Sequence, residues 1–353
     1  MSAARATFAR HFPTGGFRSD DMIRQITTVR QLAARVTLTG LAVAMAFAPT
    51  RAAEPAPGEV QQARDPFDRS NVPIEQQPTD PKAVKIVLIA GPTAPNQTAG
   101  DHEHFAGCAL FFRMLQQTPG VAPVMVQGGW PTNPETLKNA AAVVFYMDGG
   151  GKQSTLQHAA DIDRLAAAGV GIVHVHQCID YPADAVPQAV RWLGGAYHPK
   201  TGIRGHWDAT YETFADHPVT RGVQKFLPVN EGYIQKLTWV EGMKGVTPLL
   251  RARNPKAKPG TYAADGDDVW CFTYERPDGG RSFVNTGGHA HKNWGEVGFR
   301  RLMINGILWA AKVEVPAGGA NVELAPADLM QNLERKQPKP KPATKPAAKQ
   351  PGN

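Results

Sequence analysis

The feature that most constrains this chain is a series of short apolar runs separated by amphipathic stretches. Val84 to Ala90 reads V-K-I-V-L-I-A, apolar but for Lys85. A run of that length with little polar alternation suits a strand buried on both faces. Phe105, Cys108, Ala109, Phe112 and Leu115 then recur at three- and four-residue spacing, which predicts a helix with one apolar face. Val121–Val126, Ala141–Met147 and Gly171–Val175 repeat the strand pattern. A helix is expected over Gln153–Ala168, stopped by Gly169. Such alternation predicts an α/β fold with a mostly parallel sheet and helices on both faces. The second half is richer in strands. Trp270–Tyr274 and Arg281–Thr286 flank Pro277-Asp278-Gly279-Gly280, a hairpin signal, and a closing helix spans about Gly295–Ala311.

Both ends differ from this body. Arg24, Arg30 and Arg35 precede an apolar run from Val36 to Ala48. That run falls short of the ~20 residues a membrane-spanning helix needs. Residues 1–53 therefore read as a secretory signal peptide, cleaved near Ala52 or Ala53, with Met22 as an alternative start. Removal would leave no integral membrane segment, and the protein is expected to be periplasmic or secreted. Residues 54–82 read as a linker, 83–316 as the folded domain, and 317–353 as an extension. From Arg335 the extension becomes a disordered Lys/Pro/Ala tail. The formal charge of +7 resides in the ends. The first 53 residues carry +5 and the tail +6, which leaves −4 over residues 54–334. The body thus lacks the basic footprint of a nucleic-acid binder. Three cysteines, Cys108, Cys178 and Cys271, are too few and too odd in number for a disulfide framework.

Histidine carries the chemistry. Several of the 11 histidines follow expected strands. His102 and His104 come after the first, His174 and His176 end the fourth, and His289 and His291 follow a late one. Residues two apart on extended backbone share a face, so each H-x-H pair could offer two imidazoles to one divalent metal, zinc or similar. Glu103, Asp180 and Glu231 could add carboxylates. His206, Trp207 and Trp294 lie in polar segments, where an aromatic beside polar groups suits sugar stacking. Cys178 follows a strand, as a nucleophile would, but its bulky neighbours Gln177 and Ile179 favour a buried thiol. Asp148-Gly149-Gly150-Gly151 suggests a tight turn more than a phosphate loop.

Gly-Asp-His-Glu-His at 100–104, Asp-His-Pro-Val-Thr-Arg-Gly at 216–222, Thr-Gly-Gly-His at 286–289 and Phe-Arg-Arg-Leu-Met-Ile-Asn-Gly-Ile-Leu-Trp-Ala at 299–310 resemble the ThuA-like family, named for trehalose utilisation. Gly-Gly-Trp-Pro at 128–131 and His-Lys-Asn-Trp-Gly at 291–295 resemble a secreted subgroup. The resemblance implies a class I glutamine amidotransferase-like, flavodoxin-like three-layer fold without the amidotransferase chemistry. His176 stands where that chemistry needs cysteine, and Cys178 does not match. It also implies a small-molecule carbohydrate partner, with isomerisation, elimination or hydrolysis of a keto-sugar or 3-keto-glycoside as the reaction. His104, His176, His289 and Glu231 are the implied catalytic set. His102, His104, His176, His289 and His291 are the candidate metal ligands, and Trp207, Trp294, His206 and Asp180 the candidate sugar contacts. A non-catalytic carbohydrate-binding module of the envelope is the alternative. The sharpest expectation is geometric: at least two of His104, His176 and His289 share one cleft and are partly accessible, because strand ends of an open α/β sheet meet at one edge.

Overall fold

A computed structural model describes residues 64–337. The expected signal segment and most of the Lys/Pro/Ala tail lie outside them. No helix among the described residues is long and apolar enough to cross a membrane.

In chain order the strands are β1 (Val84–Ala90), β2 (Val121–Val126), β3 (Ala142–Tyr146), β4 (Gly171–Val175), β5 (Gly195–Ala196), β6 (Ile203–Trp207), β7 (Glu231–Gln235), β8 (Thr238–Trp239), β9 (Val246–Arg251), β10 (Val269–Glu275) and β11 (Arg281–Asn285). The helices are α1 (His104–Leu115), α2 (Ser154–Gln157), α3 (Ala159–Ala167), α4 (Val186–Leu193) and α5 (Val297–Ala310). The one helix expected over 153–168 is divided at His158 into α2 and α3.

Seven strands form one sheet in the order β2-β1-β3-β4-β11-β10-β9. From β2 to β11 every pairing is parallel, and β10 and β9 continue the sheet antiparallel. The apolar runs explain this. Ile86, Leu88 and Ala90 pack into one hydrophobic cluster, and Val87 and Ile89 into the cluster on the opposite face. Each such fully buried aliphatic side chain contributes about 1.5–3 kcal/mol. The Arg276–Gly280 turn closes the β10–β11 hairpin: Arg276 N–H donates to the Gly280 carbonyl at 2.9 Å and Gly279 N–H to the Arg276 carbonyl at 3.0 Å.

The folded body extends beyond 83–316 at both ends. Val72 is buried, Ile74 bridges to Met125, and Glu75 accepts from Thr132 and Asn133 N–H at 2.8 and 2.7 Å. At the other end Ala320 and Val322 join the core. Arg335 pairs with Asp65 at 3.1 Å and Gln337 N–H donates to the Pro95 carbonyl at 3.0 Å. The linker reading is therefore corrected over 64–82 and the tail reading over 335–337, and the extension from 317 is part of the folded body. Polar side chains anchor these arms, and composition alone does not reveal such partners.

The order β2-β1-β3 makes the gap between β1 and β3 the point where the chain reverses direction across the sheet. Ligands bind open α/β sheets at such a switch point, beyond the carboxyl ends of the strands.

Candidate functional site

Four adjacent parallel strands, β1, β3, β4 and β11, deliver their carboxyl ends to this one edge. The loop after β1 carries Asp101 and His102, α1 opens on His104, and the loop after β3 carries Asp148. His176 follows β4 directly, and His289 lies four residues past Asn285, the end of β11. The antiparallel pair β6–β7 lies beside them, with His206 opposite Gly232. Two backbone bonds pin the loops together: His102 N–H to the His289 carbonyl at 2.9 Å, and His291 N–H to the Gly100 carbonyl at 2.8 Å.

The result is an imidazole cluster. Ring centroids of His102 lie 4.8 Å from His176 and 4.8 Å from His289, and His176 lies 5.3 Å from His289. The expected convergence holds for His176 and His289. Accessibility is narrower than expected, with His104 sealed and His176 and His289 only 2% and 9% exposed. His206, which is exposed, lies 4.3 Å from His289 ring to ring and forms the outer wall.

Hydrogen bonds orient the rings and set where a single ring proton sits. The Asp148 carboxylate can only accept, so His102 carries its proton on Nδ1, 2.5 Å from Asp148 Oδ1. His176 Nδ1 donates to the Thr286 carbonyl at 2.8 Å. Both Nε2 atoms are then lone-pair acceptors, and they face each other at 3.4 Å. His289 Nδ1 and His102 Nε2 lie 2.9 Å apart in a hydrogen bond whose donor depends on the tautomer, and His289 Nε2 lies 3.5 Å from Asp101 Oδ2. Ligands at 2.0–2.1 Å around a tetrahedral zinc ion sit about 3.3 Å apart. Opposed lone pairs at that spacing, each ring oriented by a carboxylate or carbonyl behind it, fit a divalent metal. The three donor atoms all lie within 4.8 Å of one another, and His102, His104 and Asp148 form a second such group.

Backbone strain accompanies the cluster. His102 and His176 have φ of +53° and +56°, left-handed values that only glycine adopts at no cost. At His176 this turns the side chain out of the strand's alternation. The 174/176 pair therefore does not share a site. His174 is buried on the opposite face, and its Nε2 lies 2.8 Å from the Tyr181 hydroxyl. Burial, with His102 and His289 beside it, holds the His176 pKa well below the ordinary imidazole value. Desolvation works against the Asp148 charge, but hydrogen bonds from His102 and His104 outweigh it and hold the carboxyl well below the usual range.

Glu231 is not available as a base. It is wholly buried, and Oε1 accepts from the N–H groups of Gly232, Gly288 and His289 at 2.8, 3.1 and 2.7 Å. Asn293 Nδ2 donates to Oε2 at 2.9 Å. Desolvation pushes its pKa up to about 7 against these lowering bonds. Its role is to clamp the turn that carries His289.

Other expected residues fall elsewhere. His291 is buried in a 3-10 turn and belongs to neither three-ligand group, because the chain has left extended backbone there. Trp294 is fully buried, stacked on Phe299 at 4.7 Å, and Trp207 packs on Tyr233 at 4.3 Å. Neither offers a face to a sugar. Asp180 is engaged with Arg204 at 2.8 Å. Cys178 is buried, and desolvation raises its thiol pKa well above the ordinary value. Asp148 and Asp101 were missed as site residues, although Asp148 directly follows an expected strand. A cleft of about 340 Å³ opens beside Asp148, lined by Pro92, Thr93, Asn96, Gln97, Lys152 and Gln153 among others. A larger one of about 770 Å³ lies around Trp130, Lys138 and Arg164, and neither cleft is lined by a clustered histidine.

The family model for ThuA, described as trehalose utilisation, matches residues 94–310. The chain belongs to the ThuA family. Its matched span contains every member of the imidazole cluster. No curated protein matches this ThuA-family chain. Among solved structures, a thua-like protein of Parabacteroides merdae ATCC 43184 is 15% identical, with a TM-score of 0.48, over 70% of this chain and 99% of its own. One of Bacteroides uniformis ATCC 8492 is 17% identical, with a TM-score of 0.46, over 67% and 94%. A glutamine amidotransferase of Thermotoga maritima is 11% identical, with a TM-score of 0.33, over 60% and 80%.

Proposed function

We propose that this ThuA-family chain is an exported, carbohydrate-active enzyme whose reaction centre is a divalent metal held by His102, His176 and His289. The observation that carries the reading is the pair of Nε2 atoms of His102 and His176, opposed at 3.4 Å with His289 Nδ1 beside them. The family's description points to a sugar as substrate. When bound, the ion would act as a Lewis acid on a carbonyl or hydroxyl oxygen of that sugar. Asp148 and the Thr286 carbonyl orient the ligand rings. His206 on the outer wall is placed to exchange a proton with a substrate carbon or oxygen, in place of Glu231. A ketone next to a glycosidic carbon acidifies its neighbouring C–H, so 3-keto-glycosides fit this equipment for isomerisation or elimination. The cleft beside Asp148 is of sugar size, and Asp148 is the cluster member that lines it.

The test is metal analysis of protein purified without chelator, together with turnover of 3-keto-glycosides against plain glycosides. About one Zn, Mn, Fe, Co or Ni per chain is expected, lost with activity on chelation. Protein that stays metal-free after incubation with these ions, yet turns over the substrate, would sink the metal centre. A non-catalytic sugar-binding module would need an aromatic face, and Trp207 and Trp294 are buried. Trp207→Phe is accordingly expected to leave sugar affinity unchanged in a titration. A loss of tenfold or more would revive that alternative.

A further inference from the structure

We infer that the segment Gln331–Gln337, outside the matched family span, is a strap that positions His102, with Lys336 and Glu334 as its positioning residues. The inference rests on the metal centre proposed above but concerns different residues. Lys336 and Glu334 carry side chains only 2% and 0% exposed, although the composition around them is that of a solvated tail. Their charges meet at 2.5 Å between Lys336 Nζ and Glu334 Oε2. The same ammonium donates to the His102 carbonyl at 3.0 Å. Glu334 also accepts from Ala94 N–H at 3.3 Å and Phe105 N–H at 3.4 Å, on both sides of the histidine loop. Its own N–H donates to Glu103 Oε2 at 2.6 Å, and Glu103 Oε1 accepts from Gly100 N–H at 3.0 Å. The strap therefore touches the loop at 94, 95, 102, 103 and 105, and reaches 100 through Glu103.

Burying a Lys beside two Glu side chains is costly, and an apolar replacement would often be as stable. What this arrangement supplies is geometry. His102 holds a left-handed backbone at φ +53°, a strained state that persists only where its surroundings over-determine it. Its amide is held by the His289 carbonyl and its carbonyl by Lys336. Fixing both peptide groups aims Nδ1 at Asp148 and Nε2 at the cluster. Loss of the ammonium would let the peptide relax and swing the ring away from both.

The experiment uses the full chain and two readouts. The first is Co²⁺ affinity and the visible Co²⁺ spectrum, which report ligand geometry. The second is the far-downfield NMR signal of the His102 Nδ1 proton in metal-free protein. Lys336→Met is expected to weaken Co²⁺ binding by about 10–100-fold, to alter the spectrum, and to shift or broaden the His102 signal. Lys336→Arg should restore most of both. The double variant Glu334→Gln with Lys336→Met removes both members of the closest pair and leaves Glu103 held by the Gly100 and Glu334 N–H groups, so it stands in if the single variant folds poorly, and it should show the same losses. Folded variants with wild-type cobalt affinity and an unmoved proton signal would overturn the strap, even with a lowered Tm. Wild-type protein that binds no cobalt would overturn the metal centre, and the proton signal would still decide the strap.

Discussion

Replacing Glu231 by Ala should cost about 3–5 kcal/mol of stability, read from urea unfolding of metal-free protein. The carboxylate accepts from three backbone N–H groups and the Asn293 amide inside the core. A methyl leaves all four donors facing a cavity. Each unsatisfied donor costs about 1–3 kcal/mol, and neighbours do not add fully, so the total stays below the simple sum. Glu231→Gln keeps one oxygen for the three N–H groups but points an amide at Asn293 Nδ2. It should cost less than half as much. Both variants also differ from wild type in pH dependence. Desolvation raises the folded pKa to about 7 from 4.5, so the folded chain holds this proton more tightly than the unfolded chain. Stability is therefore lost as pH rises from about 4.5 through about 7. The Gln variant should lack that part of the slope. An Ala variant within about 1 kcal/mol of wild type would show that Glu231 is not the clamp of the His289 turn.

The parallel core was legible because its signal is local. Val84–Ala90, Val121–Val126 and Gly171–Val175 carry apolar residues on both faces, and their strands have these bounds. Strand order then brings His102, His176 and His289 to one edge without any knowledge of side chains. The pairing of histidines was not legible, because the two-residue periodicity assumes extended backbone. Positive φ at His102 and His176 breaks that assumption where the site is built. It sends His174 and His176 to different environments and leaves His102 closer to His176 than to its chain neighbour His104, at 4.8 against 5.8 Å. Trp207 and Trp294 looked like surface aromatics amid polar residues, yet their apolar area is spent in the core. Glu334 looked like the extension just before the tail, and Lys336 like the tail itself. Their partners Phe105 and His102 lie 229 and 234 residues away in sequence, beyond any local pattern.

Gly232→Ala tests whether the imidazoles form one rigid centre. Gly232 in β7 faces the cluster edge-on. A Cβ there would lie 2.9 Å from His289 Cβ, 3.1 Å from His176 Cε1 and 3.1 Å from His206 Nε2. The first contact is shorter than van der Waals packing tolerates, and His289 Cβ sits at the root of its side chain, so the ring must move with its backbone. That backbone is held by Glu231 through the His289 N–H and by His102 through the His289 carbonyl, so it yields only by disturbing both. The strand itself loses nothing, because Ala is no worse than Gly in a strand and reduces the freedom of the unfolded chain. Stability should thus change by less than about 2 kcal/mol, the ordinary cost of overpacking. Metal affinity should fall by about 100-fold, since a ligand displaced by a few tenths of an ångström to 1 Å no longer meets its partners around one ion. Gly232→Val should abolish binding. The measurement is zinc or cobalt titration beside a thermal melt of the same sample. If Gly232→Ala binds metal as tightly as wild type, the rings can rearrange without loss, and the close approach of β7 does not define the site.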